Sequence, residues 1–396
     1  MLQINSKIMR KALLTIFFFS FLLISKANTP YPYSDSIRIS LLTCSPGDEI
    51  YTLFGHTAIR VTVPHTNYDE VYNYGIFDFK SDHFIWRFAL GHTDYQLGKV
   101  PFDYFMYEYD FYKRSVWEQE LNLTIEEKSR LVDALELNYQ PQNRIYRYNF
   151  LFDNCATRPL DQIIGALHES LLLQDDSDKI DTFRSIIHKY TENFPWSQFG
   201  IDLCLGSDAD KVMSIKDKTF IPIELMHILN HTNFDSKPIV KPIKELLKTP
   251  HKEETIAIIP TPTIIFSTLF FLFFLTSLLE YKKKKSYWVL DTFTFAIFGV
   301  VGCVLTFLAL FSEHPTVSPN YLIILFHPLH LVLAPYIGYL EKKQKKVTYH
   351  YINLGVLTLF IVFFSLIPQN FDFAILPLAG CLWLRSLTNL LIHTKR

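Results

Sequence analysis

The stretch Tyr146-Arg147-Tyr148-Asn149-Phe150-Leu151-Phe152-Asp153-Asn154-Cys155-Ala156-Thr157-Arg158-Pro159 decides how the first half of this chain folds. Its aromatic, alternating start reads as extended chain. Proline is accommodated only in the first turn of a helix, so a helix must begin near Cys155–Arg158 and run on through Ile163-Ile164. Cys155 then sits at a helix N-terminus, where exposed N–H groups and the helix dipole favour a thiolate. That is the position of a nucleophile, and a thiol nucleophile needs a base.

Working back along the chain, Thr57-Ala-Ile-Arg-Val-Thr-Val63 alternates and is β-branched, so it reads as a strand. Of the fourteen histidines, His56 stands at the mouth of this strand, after Gly55. The turn-like Pro64–Glu70 and the run Val71–Phe79 complete a hairpin, and Ile37–Leu42 precedes it. A histidine on a strand followed by a cysteine at a helix start is a circularly permuted papain-like order, because such sites are defined by geometry rather than chain order. With the hairpin turn centred near Asn67, partner numbers sum to about 134. Asp78 then faces His56 as the third member, and Asn73 is the alternative under a tighter turn. Arg158, one turn into the cysteine helix, is a candidate for an anionic substrate group. Thr124-Ile-Glu-Glu127 is a capping box opening a helix to about Asn138. The segment Phe102–Trp117, dense in Tyr and Phe, suits either a lipid interface or a core. Val116–Leu123 reads as a further strand.

Outward from this region the chain changes character twice. Lys7, Arg10 and Lys11 precede an apolar run from Ala12 to Ser25, which reads as a signal peptide cleaved after Ala27. From Thr261 five apolar stretches follow, 261–281, 288–311, 321–340, 349–367 and 373–392, each about the 20 residues of a membrane span. Lysines crowd the loops after the first and third spans, whereas 312–320 and 368–372 contain no Lys or Arg. Lysine-rich loops stay cytoplasmic, so residues 28–231 are expected outside the inner membrane and the C-terminus inside. The Lys- and Pro-rich 232–260 reads as a linker.

The composition agrees. Hydrophobic residues are 49% and charged residues 19% of the 396, the latter below the roughly 25% of soluble domains, which excludes a disordered chain. A net charge of −1 gives no field for nucleic acid. Five cysteines are too few for a disulfide scaffold, and Cys44 and Cys204 are either paired or buried thiols. His227 and His231 have metal-ligand spacing without the Glu of a zinc peptidase, and no metal or cofactor is expected. Asp208 and Asp210 form a carboxylate pair or a self-bonded loop. His327, His330 and the outward Glu313-His314 complete the candidates.

Leu41-Leu-Thr-Cys-Ser-Pro-Gly47, Tyr51-Thr-Leu-Phe-Gly-His-Thr-Ala-Ile-Arg-Val61, Tyr72-Asn-Tyr-Gly-Ile-Phe-Asp-Phe79, Phe152-Asp-Asn-Cys-Ala-Thr-Arg158 and Phe199–Asp210 together resemble the Bacteroidota lipoprotein N-acyltransferase family, Lnb. The sequence is also similar to lecithin–retinol-type acyltransferases and NlpC/P60-like thiol enzymes. The resemblance implies an α+β exported domain, an antiparallel sheet packed with a cysteine-bearing helix, followed by an all-α five-helix membrane bundle. It implies transfer of an acyl chain from a phospholipid, through a Cys155 thioester assisted by His56, to the amine of a diacylglyceryl lipoprotein. A cysteine amidase or peptidase acting on cell-wall peptides is the second reading, and a non-catalytic lipid- or peptide-binding protein the third.

Overall fold

A computed structural model describes residues 36–78, 80–177, 179–249 and 260–394; the expected signal peptide lies outside them. Among the described residues nine strands run in chain order: β1 (Arg38–Cys44), β2 (His56–Thr62), β3 (Asp69–Ile76), β4 (Asp94–Pro101), β5 (Val116–Glu120), β6 (Ile145–Arg147), β7 (Asn233–Phe234), β8 (Lys237–Pro238) and β9 (Lys244–Leu247). Seven form one antiparallel sheet in the order β6-β4-β3-β2-β1-β5-β9, and β7 and β8 make a small hairpin.

Side chains alternate across a strand, so each face of the sheet has its own partners. One face offers Ile39, Leu41, Ile59, Val61, Tyr72 and Tyr74 to the helix Ile125–Tyr139 and to the cysteine helix Thr157–Ala166. The other presents Leu42, Cys44, Ala58, Val71 and Val116 to Phe105 and Tyr109 of an aromatic helix, Phe102–Phe111. Because β1 is covered on both faces, its residues from Ile39 to Cys44 are buried without alternation. Each fully buried aliphatic chain here contributes about 1.5–3 kcal/mol. The expected capping box is formed: Glu127 N–H donates to Thr124 Oγ1 at 3.3 Å, and Thr124 N–H donates to Glu127 Oε2 at 2.9 Å.

Two boundaries differ from the sequence reading. The segment expected as a linker from 232 carries β7 to β9, with Ile239 and Val240 buried in the main core, so the exported domain extends at least to Leu247. Lys237, Pro238 and Lys244 lie on edge strands, where charge and proline are tolerated. Residues 250–259 of that segment lie outside the described residues. Among the described residues of the apolar region four helices are long and apolar enough to span a membrane: Pro262–Lys283, Trp288–Phe311, Tyr321–Lys342 and Ile375–His393. The expected span at 349–367 is a helix only over Tyr349–Val362. Its 14 residues reach about 21 Å, short of the roughly 30 Å hydrocarbon core.

The exported domain sits directly on the two lysine-free loops. Asp210 accepts the backbone and side-chain N–H groups of Asn370 at 3.1 and 2.9 Å, and also the Arg184 guanidinium at 2.8 Å. Gly206 N–H donates to Thr316 O at 2.7 Å, and Asn320 Nδ2 donates to Leu203 O at 2.8 Å. Glu313 pairs with His92 at 3.1 Å, and Phe199 joins the core of the membrane-region helices. Asp210 is thus a joint between domains, while Asp208 pairs with Lys211. Glu313 and His314 serve the same joint: His314 Nε2 lies 2.6 Å from Phe88 O.

Candidate active site

The site is built at one end of the sheet, where β1 finishes and β2 and β5 begin. Cys44 is the cross-strand partner of both His56 and Val116. Gly55 makes the approach possible: its φ is +85°, and a Cβ there would meet Cys44 O at 2.7 Å. His56 starts β2, with its ring stacked on Tyr109 at 6.4 Å between centroids.

His56 Nε2 lies 2.5 Å from Asn73 Oδ1. An amide oxygen only accepts, so Nε2 carries the proton and Nδ1 keeps the lone pair of a base. Asn73, not Asp78, is therefore the residue that orients His56. The reason lies in the turn, where Val63 N–H closes on Tyr68 O at 2.9 Å, centring it earlier than Asn67. Ile59 pairs with Tyr72, so partner numbers sum to 131 instead of 134. That odd shift exchanges the faces of β3, bringing Asn73 to the His56 side. Asp78 lies beyond the end of β3, where its carboxylate accepts the Lys80 N–H at 2.8 Å.

Gly75 follows Asn73 by two residues near the end of β3. Gly75 has φ +95°, and a Cβ on it would lie 3.5 Å from Cys155 Cβ. The missing side chain lets the cysteine turn come against the end of the sheet. Asn154 holds that turn and is 2% exposed. Its Nδ2 donates to Phe150 O at 2.7 Å and Phe220 O at 2.8 Å, while Oδ1 accepts the N–H groups of Ala156 and Thr157 at 2.8 and 3.0 Å. The helix proper begins at Thr157, as Pro159 requires. Cys155 Sγ accepts the backbone N–H of Thr57, the residue after His56. His56, Asn73 and Cys155 thus converge from β2, β3 and the cysteine helix.

Electrostatics keep the pair neutral at rest. Burial pushes the Cys155 thiol up to about 11, although hydrogen bonds from the Thr57 and Cys155 N–H groups and the nearby Arg114 charge act in the opposite direction. Burial also pulls His56 down to about 4, against the Asn73 hydrogen bond. The expected thiolate at a helix N-terminus is not the resting form, because burial outweighs these donors, and Asn154 already takes the Ala156 and Thr157 N–H groups.

Arg158 is held by Asp153 through two hydrogen bonds, one from Nη2 at 2.9 Å, and its guanidinium lies 3.7 Å from the Tyr146 ring centroid. It braces the cysteine turn with its charge already matched. Cys44 and Cys204 are free thiols; burial raises both, Cys44 to about 12. His231 pairs with Asp176 at 3.3 Å, and no metal-holding cluster of His, Cys, Asp and Glu occurs among the described residues. Sequence reasoning passed over Arg114, whose only signal is its position two residues before β5, and Tyr109, hidden in an aromatic-rich segment.

Two family models match: the Lnb N-terminal periplasmic domain over residues 31–189 and the Lnb transmembrane domain over residues 252–396. No curated protein and no solved structure matches the chain. A periplasmic α+β domain joined to membrane-spanning helices indicates an inner-membrane protein. With both of its domains accounted for, the chain belongs to the Lnb family and is a membrane-associated enzyme of lipoprotein maturation.

Proposed function

We propose that the chain moves an acyl chain from a phospholipid to the N-terminal amine of a diacylglyceryl lipoprotein through a thioester on Cys155. The observation that carries this reading is the convergence of Cys155 on the backbone of Thr57, beside a His56 oriented by Asn73. In the first half-reaction His56 Nδ1 takes the Cys155 proton as Sγ attacks an ester carbonyl. The ester C–O bond breaks, the lysolipid oxygen takes the proton from the imidazolium, and the acyl group stays on sulfur. The lipoprotein amine then attacks the thioester, His56 accepts its proton, and Sγ leaves to be reprotonated. Asn73 keeps Nε2 bonded throughout, which preserves the productive tautomer.

In this reading the domain is a permuted papain-like fold, and the helix Tyr349–Val362, lengthened by the helical turn Phe364–Leu366, makes a fifth crossing that leaves the C-terminus in the cytoplasm. Docking of the domain on the loops 312–320 and 368–372 supports it, since both lipid substrates are then within reach of the leaflet. The test supplies the purified full chain with phosphatidylethanolamine and a diacylglyceryl-cysteine peptide. One acyl chain should pass to the peptide with one lysolipid released. An acetylated peptide should accept nothing. Peptide-bond cleavage without acylation would replace this reading with the amidase.

A further inference from the structure

Every arginine of the exported domain found in an ion pair meets a carboxylate: Arg60 meets Asp69 and Glu118, Arg87 and Arg147 meet Asp94, Arg158 meets Asp153, and Arg184 meets Asp202 and Asp210. Arg114 is different. It is only 9% exposed, yet it has no ion-pair partner among the described residues. Its Nε donates to Ser45 O at 2.7 Å, and its guanidinium lies 4.9 Å from the centroid of the Tyr109 ring. Its Nη2 is buried without any hydrogen-bond partner among the described residues. A buried cation whose donor is left open is expensive to maintain unless a charged ligand completes it.

The register locates this donor. Arg114 stands two residues before Val116, which pairs with Cys44, which pairs with His56, so Arg114 enters at the same end of the sheet as the cysteine–histidine pair. Tyr109 lies between them, touching the guanidinium on one side and stacking on His56 on the other. The charge of Arg114 is felt at both His56 and Cys155. The approach is lined for lipid: Tyr104, Tyr107, Phe111 and Tyr112, immediately before Arg114, are 63–72% exposed. Exposed tyrosines of this kind settle at headgroup depth.

We propose that Arg114 is the receptor for the phosphate of the donor phospholipid, which places an acyl ester at Cys155. This rests on the acyl-transfer reading above and names the group that reading leaves unrecognised. In a glycerophospholipid the carbon bearing the phosphate adjoins the carbon bearing the sn-2 ester, so a cation beside the nucleophile suits that spacing. The planar guanidinium also suits a phosphodiester, offering parallel donors to two oxygens.

The test compares acylation of Cys155 in the full-length chain by phosphatidylglycerol and by an uncharged ester, p-nitrophenyl butyrate, using Arg114→Gln and Arg114→Lys. Arg114→Gln should lose about ten- to a hundredfold in the phospholipid reaction and several-fold less than that in the uncharged reaction, which has no phosphate to hold. Arg114→Lys should recover part of the phospholipid rate. Glycerol 3-phosphate should slow wild-type acylation by phospholipid, and inorganic phosphate should do so more weakly. Unchanged phospholipid rates in both variants would overturn the proposal. So would equal losses with both donors in Arg114→Lys, which would instead assign Arg114 to the tetrahedral oxyanion or to folding. A wild-type chain acylated by neither donor would refute the acyl-transfer reading itself.

Discussion

The membrane helices and the exported site bury charge in opposite ways. Near the lysine-rich ends of the helices, Arg385 is 1% exposed and bonds Glu280, Asp291 and Ser277. Glu341 joins the same cluster, accepting Ser286 Oγ at 2.8 Å and meeting His350 Nε2 at 2.8 Å. Every one of these side chains has a partner, and five helices are tied together by them. In the exported site Cys155 and His56 are held neutral, and Arg114 keeps an open Nη2. The saturated cluster holds helices together, and the open Arg114 donor is where the proposed phosphate would bind. The distinction matters because breaking a buried pair leaves a lone charge, whereas altering an open donor removes only what the ligand would have used.

The largest effect expected at the site comes from the nucleophile. Cys155→Ala should lower acylation by about ten-thousandfold or more while leaving thermal unfolding in detergent nearly unchanged. The membrane cluster should behave in reverse. Arg385→Met leaves Glu280 and Asp291 buried without their cation, so we expect a loss of about 3–5 kcal/mol, read as a lowered unfolding temperature. A stable Arg385→Met chain, or an unfolded Cys155→Ala chain, would break the contrast.

Smaller changes sharpen it. Asn73→Asp sets an ionised carboxylate against the His56 imidazole and stabilises the imidazolium, raising a group now held down to about 4 by burial. The acid limb of the acylation profile should therefore move to higher pH. Asp78→Asn should leave that profile in place and alter the rate by less than about twofold, because Asp78 only caps a turn. If Asp78→Asn moved the limb and Asn73→Asp did not, the register drawn here would be wrong. The smallest effect concerns resting reactivity. With the thiol raised to about 11, iodoacetamide alkylation of Cys155 should climb steadily from pH 6 to 10. A plateau beginning near pH 6 would indicate a preformed thiolate–imidazolium pair.

Much of this was legible beforehand. Pro159 placed the cysteine helix, and β-branched alternation placed β2. The Thr124–Glu127 box opened its helix where expected. The lysine-free loops marked the side on which the exported domain docks. What escaped detection depended on closure between distant segments. A turn centred slightly early reversed the choice between Asn73 and Asp78, since a one-residue slip exchanges the faces of a strand. Edge strand β9 looked like a tether because pairing with β5, more than a hundred residues earlier, is what orders it. Asn154 blunted the helix terminus by taking N–H groups that a one-dimensional reading leaves free. Arg114 carries no motif at all; its meaning lies in the absence of a counter-charge, visible only when the surrounding residues are assembled.

The most direct measurement of the central claim is intact mass spectrometry of the full chain after incubation with phospholipid, with the amine acceptor withheld. The account predicts a hydroxylamine-labile acyl adduct on Cys155, lost in Cys155→Ala and matched by released lysolipid. A wild-type chain that releases lysolipid without an adduct, or carries no adduct while acylating the lipopeptide once it is added, would contradict it.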